Sequence, residues 1–230
     1  MKKYICILIT LFSFSLSAQE LFWYDVLLEV EGEDVTEFEK TVNDYYSSVD
    51  FPEDVTMTFS SIGLKGQGFE ETHILSFVSP SSQSLANLRT SLSGEKWENY
   101  LDLVRPLVDN VRVSAGNASK VFNAEEFYPI GQVWGFKVKS KYIPQFTVAF
   151  EKLMQSFDAP GFVGLANVTH GISNGENLLI YGTYPDLNSA FTFGPKNEAE
   201  AGAFAEFFNV TGEISEFTQS WTRVKIQDYN

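Results

Sequence analysis

The sequence is expected to fold as an α+β protein made of two copies of one unit, each an antiparallel sheet with helices on one face. Three observations predict this. Apolar residues recur with strand and helix periods in the same order in both halves of the chain. Short matches between the halves keep that order and spacing over about 100 residues. Cysteine is absent beyond Cys6, so an apolar core rather than disulfides must hold the fold.

The first 18 residues stand apart. MKKYICILITLFSFSLSA has a basic start at Lys2 and Lys3, an apolar run from Tyr4 to Leu16, and a small residue, Ala18, at its end. This is the secretory pattern, so residues 1–18 are expected to be a cleaved signal peptide and the protein to be exported, periplasmic or extracellular. The first unit then spans 19–128 and the second 129–230. Loss of Lys2 and Lys3 takes the formal charge from −14 to −16. So acidic a chain argues against nucleic acid and anionic membranes as partners, because both need basic patches. No second apolar run is long enough to span a membrane. The 21 Phe, 10 Tyr and 4 Trp exclude a disordered chain and fit an aromatic-rich β core.

The elements follow from periodicity. Phe22 to Val30 alternates as a strand. From Val35 to Val49 the residues Val35, Phe38, Val42, Tyr45, Tyr46 and Val49 fall at helical spacing, after acidic Glu33 and Asp34. Val55 to Ile62 and Thr72 to Val78 are strands around the turn GLKGQG. Helical stretches occupy Leu85 to Leu92 and Lys96 to Val108. A β segment runs from Val111 to about Phe127, interrupted by AGNAS. In the second half Val133 to Val138 is a strand, and Ile143 to Phe157 a helix with Phe146, Ala149, Phe150, Leu153 and Phe157 on one face. Phe162 to His170 and Leu178 to Thr183 are strands around the turn SNGE. Pro185 to Phe193 and Ala199 to Phe208 are helical, and Ile214 to Ile226 closes as a strand.

The matches are short but ordered. FEK at Phe38–Lys40 recurs at Phe150–Lys152, and SIG at Ser61–Gly63 falls over THG at Thr169–Gly171. HILSFVSP, ending at Pro80, lies over LLIYGTYP, ending at Pro185. Each half is thus a ferredoxin-like βαββαβ repeat whose sheet leaves one face bare. Two such faces can cover one another, giving two antiparallel sheets packed as a pseudo-dimeric α+β barrel. On this order and duplication the chain resembles the dimeric α+β barrel superfamily, in a tandem form where one chain supplies both halves. The resemblance implies a fold. Among activities it implies small monooxygenases of the antibiotic-biosynthesis type and haem-handling proteins such as chlorite dismutases, beside many members with no assigned activity.

Alternation assigns faces. On the first strand Tyr24, Val26, Leu28 and Val30 belong under the helices, and Asp25, Leu27 and Glu29 on the bare face. In the second repeat Trp134, Phe136 and Val138 take the helix side, and Gly135, Lys137 and Lys139 the other. Carboxylates of one repeat therefore look toward lysines of the other, and such charges need a partner, water or a ligand. Asp25, Glu29 and Lys137 are candidate ligand-binding residues, with solvation at strand ends or pairing across the seam as their other role. Thr56, Thr58, Ser60 and Ile62 share the bare face with Gly164, Ala166, Val168 and His170. His170 ends its strand where the first repeat has Ile62, beside small residues that leave room, and is the fourth candidate. His73, on a face with Leu75 and Phe77, reads as a core-edge residue.

Most chemistries are discarded. There is no G-x-S-x-G, H-E-x-x-H, G-x-x-x-x-G-K-[ST] or G-x-G-x-x-G, and two lone histidines about 100 residues apart make a poor metal set. No catalytic residue, metal or cofactor is expected. The expectation is an exported protein that binds a small apolar or aromatic molecule in a cleft of the barrel without catalysing its conversion. The alternatives are a cofactor-free monooxygenase-like or haem-handling enzyme, and a structural or interaction protein with a filled interior.

Overall fold

The computed structural model describes residues 20–230. The expected signal peptide and its cleavage point lie outside the described residues. In the first half β1 (Leu21–Glu29) leads to α1 (Val35–Tyr46), β2 (Thr56–Lys65), β3 (His73–Ser79), α2 (Ser82–Ser91), α3 (Glu95–Val104) and β4 (Asn110–Phe122). The second half repeats the sequence of types with β5 (Ile130–Val138), α4 (Ile143–Ser156), β6 (Val163–His170), β7 (Leu178–Tyr184), α5 (Leu187–Phe191), α6 (Glu198–Ile214) and β8 (Ser215–Tyr229).

Local chemistry sets the helix starts. Ser81, Asp186 and Asn197 cap α2, α5 and α6, each side chain accepting from the backbone N–H three residues on. Asp34 is the N-cap residue of α1, as its acidic surroundings suggested, but its side chain makes no capping bond. The expected break at AGNAS does not occur: β4 runs through it. Register shifts between Ala115 and Gly116 and between Ala118 and Lys120 absorb the irregular residues as bulges against β6.

The eight strands form one closed, antiparallel barrel in the order β1-β3-β2-β8-β5-β7-β6-β4. Each half contributes four contiguous strands in the same internal order, β4-β1-β3-β2 and β8-β5-β7-β6. The halves are not merely stacked face to face. The 13-residue β4 hydrogen-bonds to β6, and the 15-residue β8 to β2. A sheet edge left unpaired offers free N–H and C=O groups, so joining both edges closes the structure.

Helices cover the outside and create two separate cores. Phe38, Val42, Met57, Phe59 and Leu75 are fully or almost fully buried in the first, beneath α1 and α3. Phe146, Phe150, Leu153, Leu165 and Leu178 fill the second, beneath α4 and α6. Each such side chain contributes roughly 1.5–3 kcal/mol by burial. The inside of the barrel has its own apolar cluster, built on Leu27, Ile62, Ile74, Val133 and Trp221.

Candidate functional site

Strands β1, β2, β5 and β6 run one way and their four neighbours the other, so each barrel end is defined by strand termini. At one end gather the starts of β1, β2, β5 and β6; at the other, their ends. The inside is hollow at the first and filled at the second.

The hollow end holds a cavity of about 360 Å³, within the size range of small-molecule sites. Trp23, Val78, Val133, Phe162, Ala166 and Trp221 give it apolar walls. Phe127, from the segment between β4 and β5, stacks on Phe162 with ring centroids 4.2 Å apart. Thr56 and Thr58 of β2, Ser79 at the end of β3 and Pro80 after it also line it.

A buried polar chain forms its floor. Ser76 Oγ donates to Asp25 Oδ1 at 2.7 Å and accepts from Arg223 Nη1 at 2.8 Å. Arg223 also donates to the Tyr181 hydroxyl, from Nη2 at 2.6 Å and from Nε at 3.2 Å, and its guanidinium lies 5.0 Å from the Tyr181 ring centroid. Burial pushes the Asp25 carboxyl up to about 6, although the Ser76 bond and the Arg223 charge both pull it down. Gly131 makes this arrangement possible: a Cβ there would lie 2.5 Å from the Tyr181 hydroxyl and 2.8 Å from Arg223 Nε. Nearer the mouth Asp228 accepts from Thr58 at 2.8 Å and pairs with Lys225 at 2.6 Å. The Trp23 indole nitrogen is buried and, among the described residues, has no partner.

The filled end is closed by side chains. Glu176, from the β6–β7 turn, accepts hydrogen bonds from Thr218 and Gln219. It fits because Gly135 has no Cβ, which would stand 2.0 Å from its Oε2. Buried Glu71 pairs with Arg112 at 2.9 Å, and Arg112 lies over the Phe69 ring. Only about 30 Å³ remains there.

The four candidates separate between these regions. Asp25 lines the cavity. Glu29, Lys137 and His170 sit at or beside the opposite ends of their strands, away from it. The cation facing Asp25 is Arg223 rather than a lysine. Lys137 is half-exposed, 3.6 Å from Glu216 on the neighbouring strand. His170 is exposed, with Nδ1 3.0 Å from the Thr169 hydroxyl. His73 packs between Phe38 and Phe59 on the helix side, bonded to Thr72 and Glu39; its burial lowers its pKa.

Arg223, Tyr181, Ser76, Trp23 and Trp221 escaped the sequence reading. Carrying the alternation onto β3 would have put Ile74, Ser76 and Val78 inside, opposite His73, Leu75 and Phe77. On β8 it fails. Ser60 pairs with Lys225 and Phe59 with Gln227, so Ile226 is bulged out and Asp228, not Gln227, turns inward.

Haem ligation requires an axial donor. No histidine, cysteine or methionine lines the cavity, His170 is outside it, and both His73 nitrogens have protein partners. The cavity therefore offers haem no histidine, cysteine or methionine ligand; the donors of haem-ligating type in its lining are the hydroxyls of Tyr128 and Tyr181, the latter already held by Arg223. Among the described residues, no group of three or more His, Cys, Asp or Glu is placed to hold a metal ion.

Fold and cavity together define a single-chain α+β barrel with a partly hollow interior. No family model matches the sequence, and no curated protein does. Solved structures do. A Fusobacterium nucleatum protein described provisionally as a monooxygenase is 13% identical, with 92% of this chain and 94% of that chain aligned and a TM-score of 0.64. An anthrone oxidase-like protein is 11% identical over 92% and 93%, with a TM-score of 0.63. A chlorite dismutase variant from Candidatus Nitrospira defluvii, in complex with cyanide, is 8% identical over 92% of both chains, with a TM-score of 0.52. This chain shares the fold of these structures.

Proposed function

We propose that this is an exported protein that binds a small aromatic or apolar molecule inside the barrel, the two halves being ferredoxin-like repeats of one ancestral unit joined near residue 128. The carrying observation is the cavity of about 360 Å³, walled by tryptophan and phenylalanine and floored by a buried polar chain. A barrel whose interior served only as a core would be packed throughout, as its other end is. The identical strand order of the halves supports the duplication, and the leader-like first 18 residues support export.

The test is mass spectrometry of the natively purified chain for a retained molecule, with titration of an aromatic probe followed by Trp23 and Trp221 fluorescence. Saturable quenching is expected, and its loss in Ala166→Leu, whose larger side chain fills the cavity. An unchanged probe affinity in Ala166→Leu would sink the proposal.

A second reading, a cofactor-free monooxygenase-like enzyme, is favoured by one feature. Asp25 is a buried carboxyl in the cavity whose pKa of about 6 suits a general base. The names of the neighbours point the same way. Oxygen uptake with phenolic substrates, abolished in Asp25→Asn, would support it; no uptake with any cavity-sized phenol would remove it.

A further inference from the structure

We propose that the cavity takes an aromatic or apolar monocarboxylate, its carboxylate seated on the Arg223 guanidinium and its apolar body against Trp23, Val78, Phe162 and Ala166. This rests on the cavity being a ligand site and names the chemistry of its occupant.

The hydrogen-bond inventory gives the polarity. A guanidinium has five N–H groups; those of Arg223 make three bonds, two to Tyr181 and one to Ser76. Two remain. The Tyr181 hydroxyl is the acceptor in both its bonds to Arg223, and its own hydrogen meets no acceptor among the described residues. The indole N–H of Trp23 is likewise buried and unpaired. Every one of these spare groups is a donor. Each lining carboxylate already accepts at least one bond: Asp25 at Oδ1 from Ser76, Asp228 at both oxygens from Thr58 and Lys225, and Asp54 at Oδ2 from Ser79 and Ser84. Unpaired buried donors are costly, so the complementary ligand presents acceptor oxygens.

The charges give the sign. Lys225 is neutralised by direct contact with Asp228. Arg223 is buried, and among the described residues it has no carboxylate within ion-pair distance; Asp25 reaches it only through Ser76. A planar guanidinium with two free N–H groups matches a carboxylate. A polyanion is disfavoured, because Arg223 is the one cation of the lining without a direct carboxylate and Asp25 stands close by.

The experiment compares 2-naphthoate with its neutral near-isostere 2-acetylnaphthalene. Each is titrated by tryptophan fluorescence and calorimetry into the wild-type chain, Arg223→Gln and Asp25→Asn. The wild type is expected to bind naphthoate about tenfold or more tightly than the ketone, the worth of a charge-assisted bond. Arg223→Gln should erase that preference and keep the ketone. Asp25→Asn should strengthen naphthoate binding alone, because the repelling charge is gone. Equal affinity of the two probes for the wild type, or a preference surviving in Arg223→Gln, overturns the proposal and leaves the cavity reading standing. Binding of neither probe overturns both. Should Arg223→Gln not fold, Arg223→Lys replaces it: the charge stays, the fork is lost, and an undiminished preference for naphthoate overturns the proposal.

Discussion

The two ends of the barrel are built from the same eight strands and differ in what their interior residues do. At the filled end Leu27 and Ile74 close against Val133 and Trp221, which also wall the cavity on their other side, and the remaining space is taken by Glu176 and the Glu71–Arg112 pair. At the hollow end the inward positions of β6 and β4 are small, Gly164, Ala166 and Ala118, and the aromatic rings form walls instead of a plug. Charge follows the same division. Glu71 meets Arg112 directly, while Asp25 and Arg223 are held apart by a serine, leaving donors unspent. One end spends its polar groups on closure, and the other keeps them available.

That contrast can be broken from either side. The largest effect is expected at the filled end. Ile74 is fully buried, and Ile74→Ala should cost about 2–5 kcal/mol, read from urea unfolding, because its close neighbours cannot collapse into the gap. A cost below about 1 kcal/mol would mean that this end is loosely packed.

Asp25 should dominate the pH dependence at the hollow end. In the folded chain its pKa is about 6, against an ordinary value of 3.8. The folded state therefore binds the proton more tightly than the unfolded one. Stability contributed by this group falls as pH rises from about 4 to about 6 and is level above that, for a total of roughly 3 kcal/mol. Asp25→Asn should flatten that interval and raise stability at pH 7 by up to this amount. Unfolding series across the interval check it, and an unaltered slope would refute the assignment.

Arg112→Ala removes the partner of a buried carboxylate. It should cost about 1–3 kcal/mol in thermal or urea unfolding without affecting probe binding, since the cavity lies at the other end. Smallest of all are Lys137→Ala and His170→Ala. Both side chains are exposed, so each should change stability by less than about 0.5 kcal/mol and leave probe affinity unchanged. A marked loss of binding in His170→Ala would return that residue to the site.

Much of the fold is legible in the sequence. The patterns at Phe38, Val42, Phe146 and Phe150 located the helix faces, and the assignment of Thr56, Thr58, Gly164 and Ala166 to the barrel side agrees with their place along the cavity. Asp25 was legible as a charge on an apolar strand. The rest was not, for reasons tied to particular residues. SIG and THG align and share their glycine, yet Gly63 continues β2 whereas Gly171 takes φ +68° after β6. On β8, one bulged residue at Ile226 reverses which of Gln227 and Asp228 faces inward.

Periodicity and composition were enough to determine the α+β class, the repeated order of elements and the apolar faces, because strand and helix periods are local properties of the chain. Tertiary structure alone decided that the sheet edges join into a closed barrel, that one end fills while the other stays hollow, and that Asp25, Ser76, Tyr181 and Arg223 converge. Those outcomes depend on register between strands up to about 170 residues apart, as in the Thr58–Asp228 bond. A single bulge moves a side chain from one face to the other, and no local pattern records where the partner strand will place it.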